Sequence, residues 1–81
     1  MSKLMDIRGL IQRGAPANGD EARRIIQVAL ENVADQPDNW ERRLSAALTE
    51  ILVGRQLHLA TYAARADALA VIDEINRRRM H

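Results

Sequence analysis

From Asp38 to Arg79 the chain runs for about forty residues without a proline, and Gly54 is the one candidate break in it. Ala, Leu, Arg and Glu dominate the stretch, and these are strong helix formers. Left unbroken, such a helix extends about 60 Å at roughly 1.5 Å per residue. A compact chain of 81 residues has a radius of gyration of about 12 Å, hence a diameter near 30 Å. The two lengths conflict, so either the stretch turns back on itself or a partner covers the overhang. The sequence places a turn between Gly54 and His58, because glycine after Ile51-Leu52-Val53 suits a left-handed helix end.

Before that stretch lie two shorter helical segments. Leu4, Ile7, Leu10 and Ile11 recur at helical spacing, and Gly14 then Pro16 stand where a helix should stop. Asn18 with Glu21 three residues on reads as a capping box, and Asp20 adds negative charge at the helix start. Ala22, Ile25, Ile26, Ala29, Leu30 and Val33 share one side of the second segment. Arg23, Arg24, Gln27 and Glu31 take the other side, giving the clearest amphipathic pattern in the chain. Pro37 disfavours helix in the residue before it, and Asp38 with Glu41 repeats the cap-and-acid signature. Trp40, Leu44, Ala47, Leu48, Ile51 and Leu52 then form one apolar face, with Trp40 expected in the core. The expected fold is all-α: one domain over 1–81, three to four helices near 3–13, 19–34, 38–53 and 57–79, arranged as a helical hairpin or bundle.

The last helix carries two apolar lanes at 100° per residue. One holds Leu59, Tyr62, Ala63, Ala66, Leu69 and Ala70. The other holds Leu57, Ala60, Ala64, Ala68, Val71 and Ile75. A helix apolar on two sides is buried on two sides. The preceding helices can cover one lane, so the second lane, Leu57 to Ile75, is assigned to a homodimer interface. Asp73–Arg77 and Glu74–Arg78 are acid-before-base pairs at i,i+4 and support helix almost to the end.

Charge and chemistry exclude more than they select. Eleven of the twelve basic residues are Arg, against eleven acids, for a net charge of +1. That balance gives no electrostatic reason to expect nucleic acid or an anionic membrane. No apolar run reaches transmembrane or signal-peptide length, and cysteine is absent. Both features fit a cytoplasmic protein. His58 and His81 are the only histidines and have no carboxylate cluster around them, so no metal or other cofactor is expected. Ser2 and Ser45, the only serines, lack a strand-turn-helix setting. The four glycines are scattered and form no phosphate loop. The single lysine, Lys3, does not complete the Arg-Lys-acid clamp of small helical mutases. No enzymatic activity is expected.

The remaining reading is protein binding. Arg23, Arg24, Arg42 and Arg43 form two exposed pairs suited to carboxylates on a partner. Nucleic acid is the alternative partner. Helix three, Gly54 and helix four could form a helix-turn-helix, with Arg55 and Arg65 reaching phosphates and Arg77 to Arg79 adding a backbone contact. A helical adaptor or structural subunit is a further alternative. In size, Ala- and Arg-rich composition, lack of cysteine and lack of an active-site motif, the whole chain resembles the small accessory proteins of temperate bacteriophages or mobile elements. That resemblance implies binding and inhibition of a bacterial host protein, such as a CRISPR effector, a pilus motor ATPase or a transcription regulator. It transfers no functional residue.

Overall fold

A computed structural model describes residues 3–31 and 39–79. These residues form four helices and no strand: α1 (Lys3–Gln12), α2 (Gly19–Leu30), α3 (Trp40–Gln56) and α4 (Tyr62–Arg79). Each helix packs on its neighbours in chain order, and α1 closes the ring against α4, with the α3–α4 contact the most extensive. The radius of gyration is 11.9 Å, the value a chain of this length needs if its long C-terminal stretch folds back.

The helix ends follow local chemistry. α1 stops in a Schellman arrangement: Gly14 takes φ 107, its N–H reaches Ile11 O at 3.0 Å, and Ala15 N–H reaches Leu10 O at 2.9 Å. Both orphan carbonyls of the last turn are thereby satisfied. The Ala15–Pro16 peptide is cis, and Pro16 is buried in the turn to α2. The capping box at α2 forms with one change of partner. Asn18 Oδ1 accepts from Glu21 N–H at 2.8 Å, while Glu21 Oε1 accepts from the N–H of Ala17 rather than of Asn18. α2 gives way to a turn at Glu31, short of the expected residue 34. Val33, Asp35 to Pro37 and the Asp38 cap lie outside the described residues.

The long stretch turns back at residues 57–61, so α3 ends at Gln56 rather than 53 and α4 begins at Tyr62 rather than 57, and glycine plays another part in it. α3 continues through Gly54 to Gln56. The left-handed position belongs to His58, with φ 56. His58 N–H bonds Arg55 O at 3.3 Å and Leu59 N–H bonds Gly54 O at 2.7 Å, a second Schellman end. Gly54 is needed for space instead. A Cβ there would sit 2.7 Å from the Thr61 methyl carbon, so the returning chain lies directly on the glycine.

The core is built from Leu4, Ile7 and Ile11 of α1, Ile25 and Ala29 of α2, Trp40, Leu44, Ala47, Leu48 and Ile51 of α3, and Ala64, Ala68, Val71, Ile72 and Ile75 of α4. These are the apolar faces read from periodicity, except that Leu10 of α1 is exposed, with two corrections on α4. Ile72 is fully buried although it stands in neither apolar lane. Of the six residues assigned to a dimer interface, Ala64, Ala68, Val71 and Ile75 are sealed inside the chain's own core, while Leu57 and Ala60 are exposed. Closing the ring puts α1 as well as α3 against α4, so one chain shelters this lane and Ile72 together. In the other lane Leu59, Tyr62, Ala63, Ala66 and Ala70 face outward, and Leu69 is partly buried against the core.

Candidate functional site

α3 and α4 run antiparallel side by side. At one end Thr61 rests on Gly54. At the other end Trp40, the first residue of α3, donates its indole N–H to Glu74 Oε2 at 2.7 Å. Arg43 Nη1 donates to the same oxygen at 3.2 Å, and the Arg78 guanidinium lies 5.2 Å from the Trp40 ring centroid. Nearby along α4, Asp73 accepts from Arg8 Nε at 2.7 Å and from Arg8 Nη2 at 3.4 Å, tying α1 to α4. Hydrogen bonding to Asp73 and its negative charge raise the Arg8 pKa. The expected Asp73–Arg77 and Glu74–Arg78 pairs do not form. Both acids face residues of other helices, whose charged donors displace the local partners.

The four arginines assigned to partner contact do not assemble into one site. Arg23 pairs with Asp20 one turn earlier on α2. Arg24 lines a shallow groove of about 510 Å³ between α1 and α2, whose walls carry both charge signs, Lys3 and Arg24 against Asp6, Glu21 and Glu31. Arg42 is exposed on α3, and Arg43 is held by Glu74. Two further arginines considered for phosphate contact are also engaged. Arg55 Nη1 donates to Gly14 O at 2.6 Å, bracing the α1–α2 turn on the end of α3. Arg65 Nη2 donates to Thr61 Oγ1 at 3.4 Å, while its Nε is enclosed without a partner.

The closed end of the hairpin is different in kind. Val53, Leu57, Leu59 and Tyr62 are 45%, 61%, 61% and 73% exposed. Elsewhere among the described residues only Met5 and Leu10 are large apolar side chains left exposed. Four such residues within ten positions of one corner form a concentration, whereas scattered single ones are ordinary. The backbone forces the exposure. The Schellman end reverses the chain at His58, and Thr61 occupies the space above Gly54, so Leu57 and Leu59 have no core to enter. Periodicity puts Leu57 in one lane and Leu59 with Tyr62 in the other. Helix phase is lost across residues 57–61, so it does not reveal that these three are exposed together at the corner.

Among the described residues no group of three or more His, Cys, Asp or Glu side chains could hold a metal ion, and no buried polar or charged residue occurs. No helix is long and apolar enough to cross a membrane. No family model, curated protein or solved structure matches the chain.

Proposed function

We propose that this protein is a non-catalytic binding module of the cytoplasm that docks on another protein through the α3–α4 corner. The observation that carries the reading is the concentration of Val53, Leu57, Leu59 and Tyr62 at one end of a hairpin whose other end is fully cross-linked. Aromatic and apolar anchors of this type supply most of the energy of protein interfaces. The corner replaces the arginine pairs as the contact surface, since Arg23 and Arg43 already have partners within the chain. The resemblance to phage accessory proteins makes a bacterial host protein the partner to seek, with inhibition as the consequence of docking.

A nucleic-acid role is less well supported. α3 and α4 lie alongside one another, whereas a helix-turn-helix crosses at about 90–120°. Arg55 and Arg65 are committed to internal acceptors. The test is affinity capture from a bacterial lysate with the wild-type protein and with a Leu57→Ser/Tyr62→Ser variant. One stoichiometric protein should be recovered by the wild type and lost by the variant. Equal recovery by both forms, or salt-sensitive retention on heparin that depends on Arg55, would turn the reading over.

A further inference from the structure

The corner continues into the seam between α3 and α4, and this continuation says what kind of segment the partner presents; the inference rests on the docking reading above. A shallow groove of about 330 Å³ runs along the seam, lined by Arg43, Ala46, Ala47 and Glu50 of α3 and by Asp67 and Val71 of α4. Ala46 is exposed on its wall, while Ala47 and Val71 close its floor from within the core. Glu50 and Asp67 are exposed, and neither forms an ion pair among the described residues.

Their isolation is written into the sequence. At three and four positions either side, Glu50 has Ala46, Ala47, Val53 and Gly54, and Asp67 has Ala63, Ala64, Ala70 and Val71. No base on its own helix can therefore reach either acid. Arg43, the groove's one basic lining residue, is taken by Glu74. The groove thus carries two uncompensated negative charges beside an apolar end. Val53 lies three residues beyond Glu50 on α3, and Leu57, the C-cap that follows the helix, seven residues beyond it, roughly one and two turns away.

We infer that the seam receives an amphipathic helix of the partner protein, with lysine or arginine between Glu50 and Asp67 and with leucine-like side chains one to two turns further, over Val53 and Leu57. A third helix along two antiparallel ones is an ordinary packing solution. The long aliphatic stem of Lys or Arg covers the alanine floor while its charged head meets the carboxylates. Self-association gives a different outcome, since it requires no foreign helix.

Two synthetic amphipathic helices with the same leucine face test the inference, one with lysine and the other with glutamate at its polar positions. Each is titrated into the full chain, and backbone amide shifts are followed. The lysine helix should shift Ala46, Glu50, Val53, Asp67 and Val71, and bind about tenfold or more tightly than the glutamate helix at low salt. A Glu50→Lys/Asp67→Lys variant should reverse the preference. Both acids are exposed, so its circular dichroism and melting temperature should match the wild type. Equal binding of both helices at Val53 and Leu57 would overturn the inference and leave the docking corner standing. Shifts confined to other surfaces, absence of binding by either helix, or a concentration-dependent dimer mass that closes the seam would each overturn it as well. Lysate capture, which does not involve these peptides, reports on the docking corner separately.

Discussion

The two ends of the α3–α4 hairpin are held by opposite means. At the open end, where the helices are joined by no loop, side chains make the connection: Trp40 to Glu74, Arg43 to Glu74, Arg78 over Trp40, and Arg8 to Asp73 close by. At the closed end the backbone makes it, through the Schellman bonds of His58 and Leu59 and the contact of Thr61 on Gly54. A connection made by backbone leaves side chains unemployed. This is why the closed end can display Leu57, Leu59 and Tyr62 to solvent while the open end has Trp40 buried and bonded. If so, substitutions at the open end should disturb stability, and those at the corner should disturb only binding.

The largest effect is expected from Trp40→Ala. The indole is 1% exposed, and its removal leaves a cavity and strands the Glu74 carboxylate beside Arg43 alone. A loss of about 4 kcal/mol is expected, much of the stability of a domain whose total is on the order of 5–15 kcal/mol. Urea unfolding measures it. A midpoint unchanged from the wild type would mean that the open end is not held by this residue, and the contrast between the ends would collapse.

Gly54→Ala probes the backbone end and separates two roles for the glycine. Ala favours helix over Gly by about 1 kcal/mol, but the new methyl would meet Thr61 at 2.7 Å. Overpacking of this kind costs about 1–3 kcal/mol, so a net loss of about 1 kcal/mol is expected. Thr61→Ser removes the opposing methyl, and in that background Gly54→Ala should be neutral or stabilising. Destabilisation of the same size in both backgrounds would show that close approach of the loop is not what glycine serves here.

The fold was legible where one physical signal acted alone. Leu4, Ile7 and Ile11, or Trp40, Leu44, Leu48 and Ile51, repeat at helical spacing and are buried as that spacing requires. The Asn18–Glu21 cap and the Gly14 stop follow from local hydrogen bonding and needed no tertiary knowledge. What the sequence hid was the choice between faces of equal apolar content. Each of the two lanes holds six apolar residues, three of them Ala, and only the position of α1 decides which is covered. Burial of Leu4, Ile7 and Ile11 sets that position, joined by Arg8 meeting Asp73, a pair 65 residues apart that competes with the local Asp73–Arg77 spacing. The same ambiguity concealed the corner, because assigning Leu57 to a dimer lane and Tyr62 to the core separated two residues that the turn exposes together.

At the tip of the corner, His58 should be improvable. Its φ of 56 places it in the left-handed region, which histidine enters more readily than most residues but at greater cost than glycine. His58→Gly should raise stability by about 0.5 kcal/mol, partly offset by the extra freedom glycine gives the unfolded chain. A fall in melting temperature would mean that the imidazole makes a stabilising contact and that the closed end is not held by backbone alone.

The smallest expected effect bears most directly on function. Leu57→Ser and Tyr62→Ser remove two of the most exposed large apolar side chains; Leu57 caps α3 through its backbone N–H, which serine keeps, so each change should stay within about 0.5 kcal/mol, as at other exposed positions. Ile72→Ser, ten residues further along α4 and fully buried, should lose several kcal/mol by comparison. The same chemical change in one helix should thus be nearly silent at the corner and disruptive in the core, as read by thermal melts of the three variants at equal concentration. A loss above about 1 kcal/mol at either corner position would mean that these side chains help to hold the hairpin. Their exposure would then no longer argue for a partner. Silence at both, together with loss of captured protein, would separate the surface used for binding from the contacts that maintain the fold.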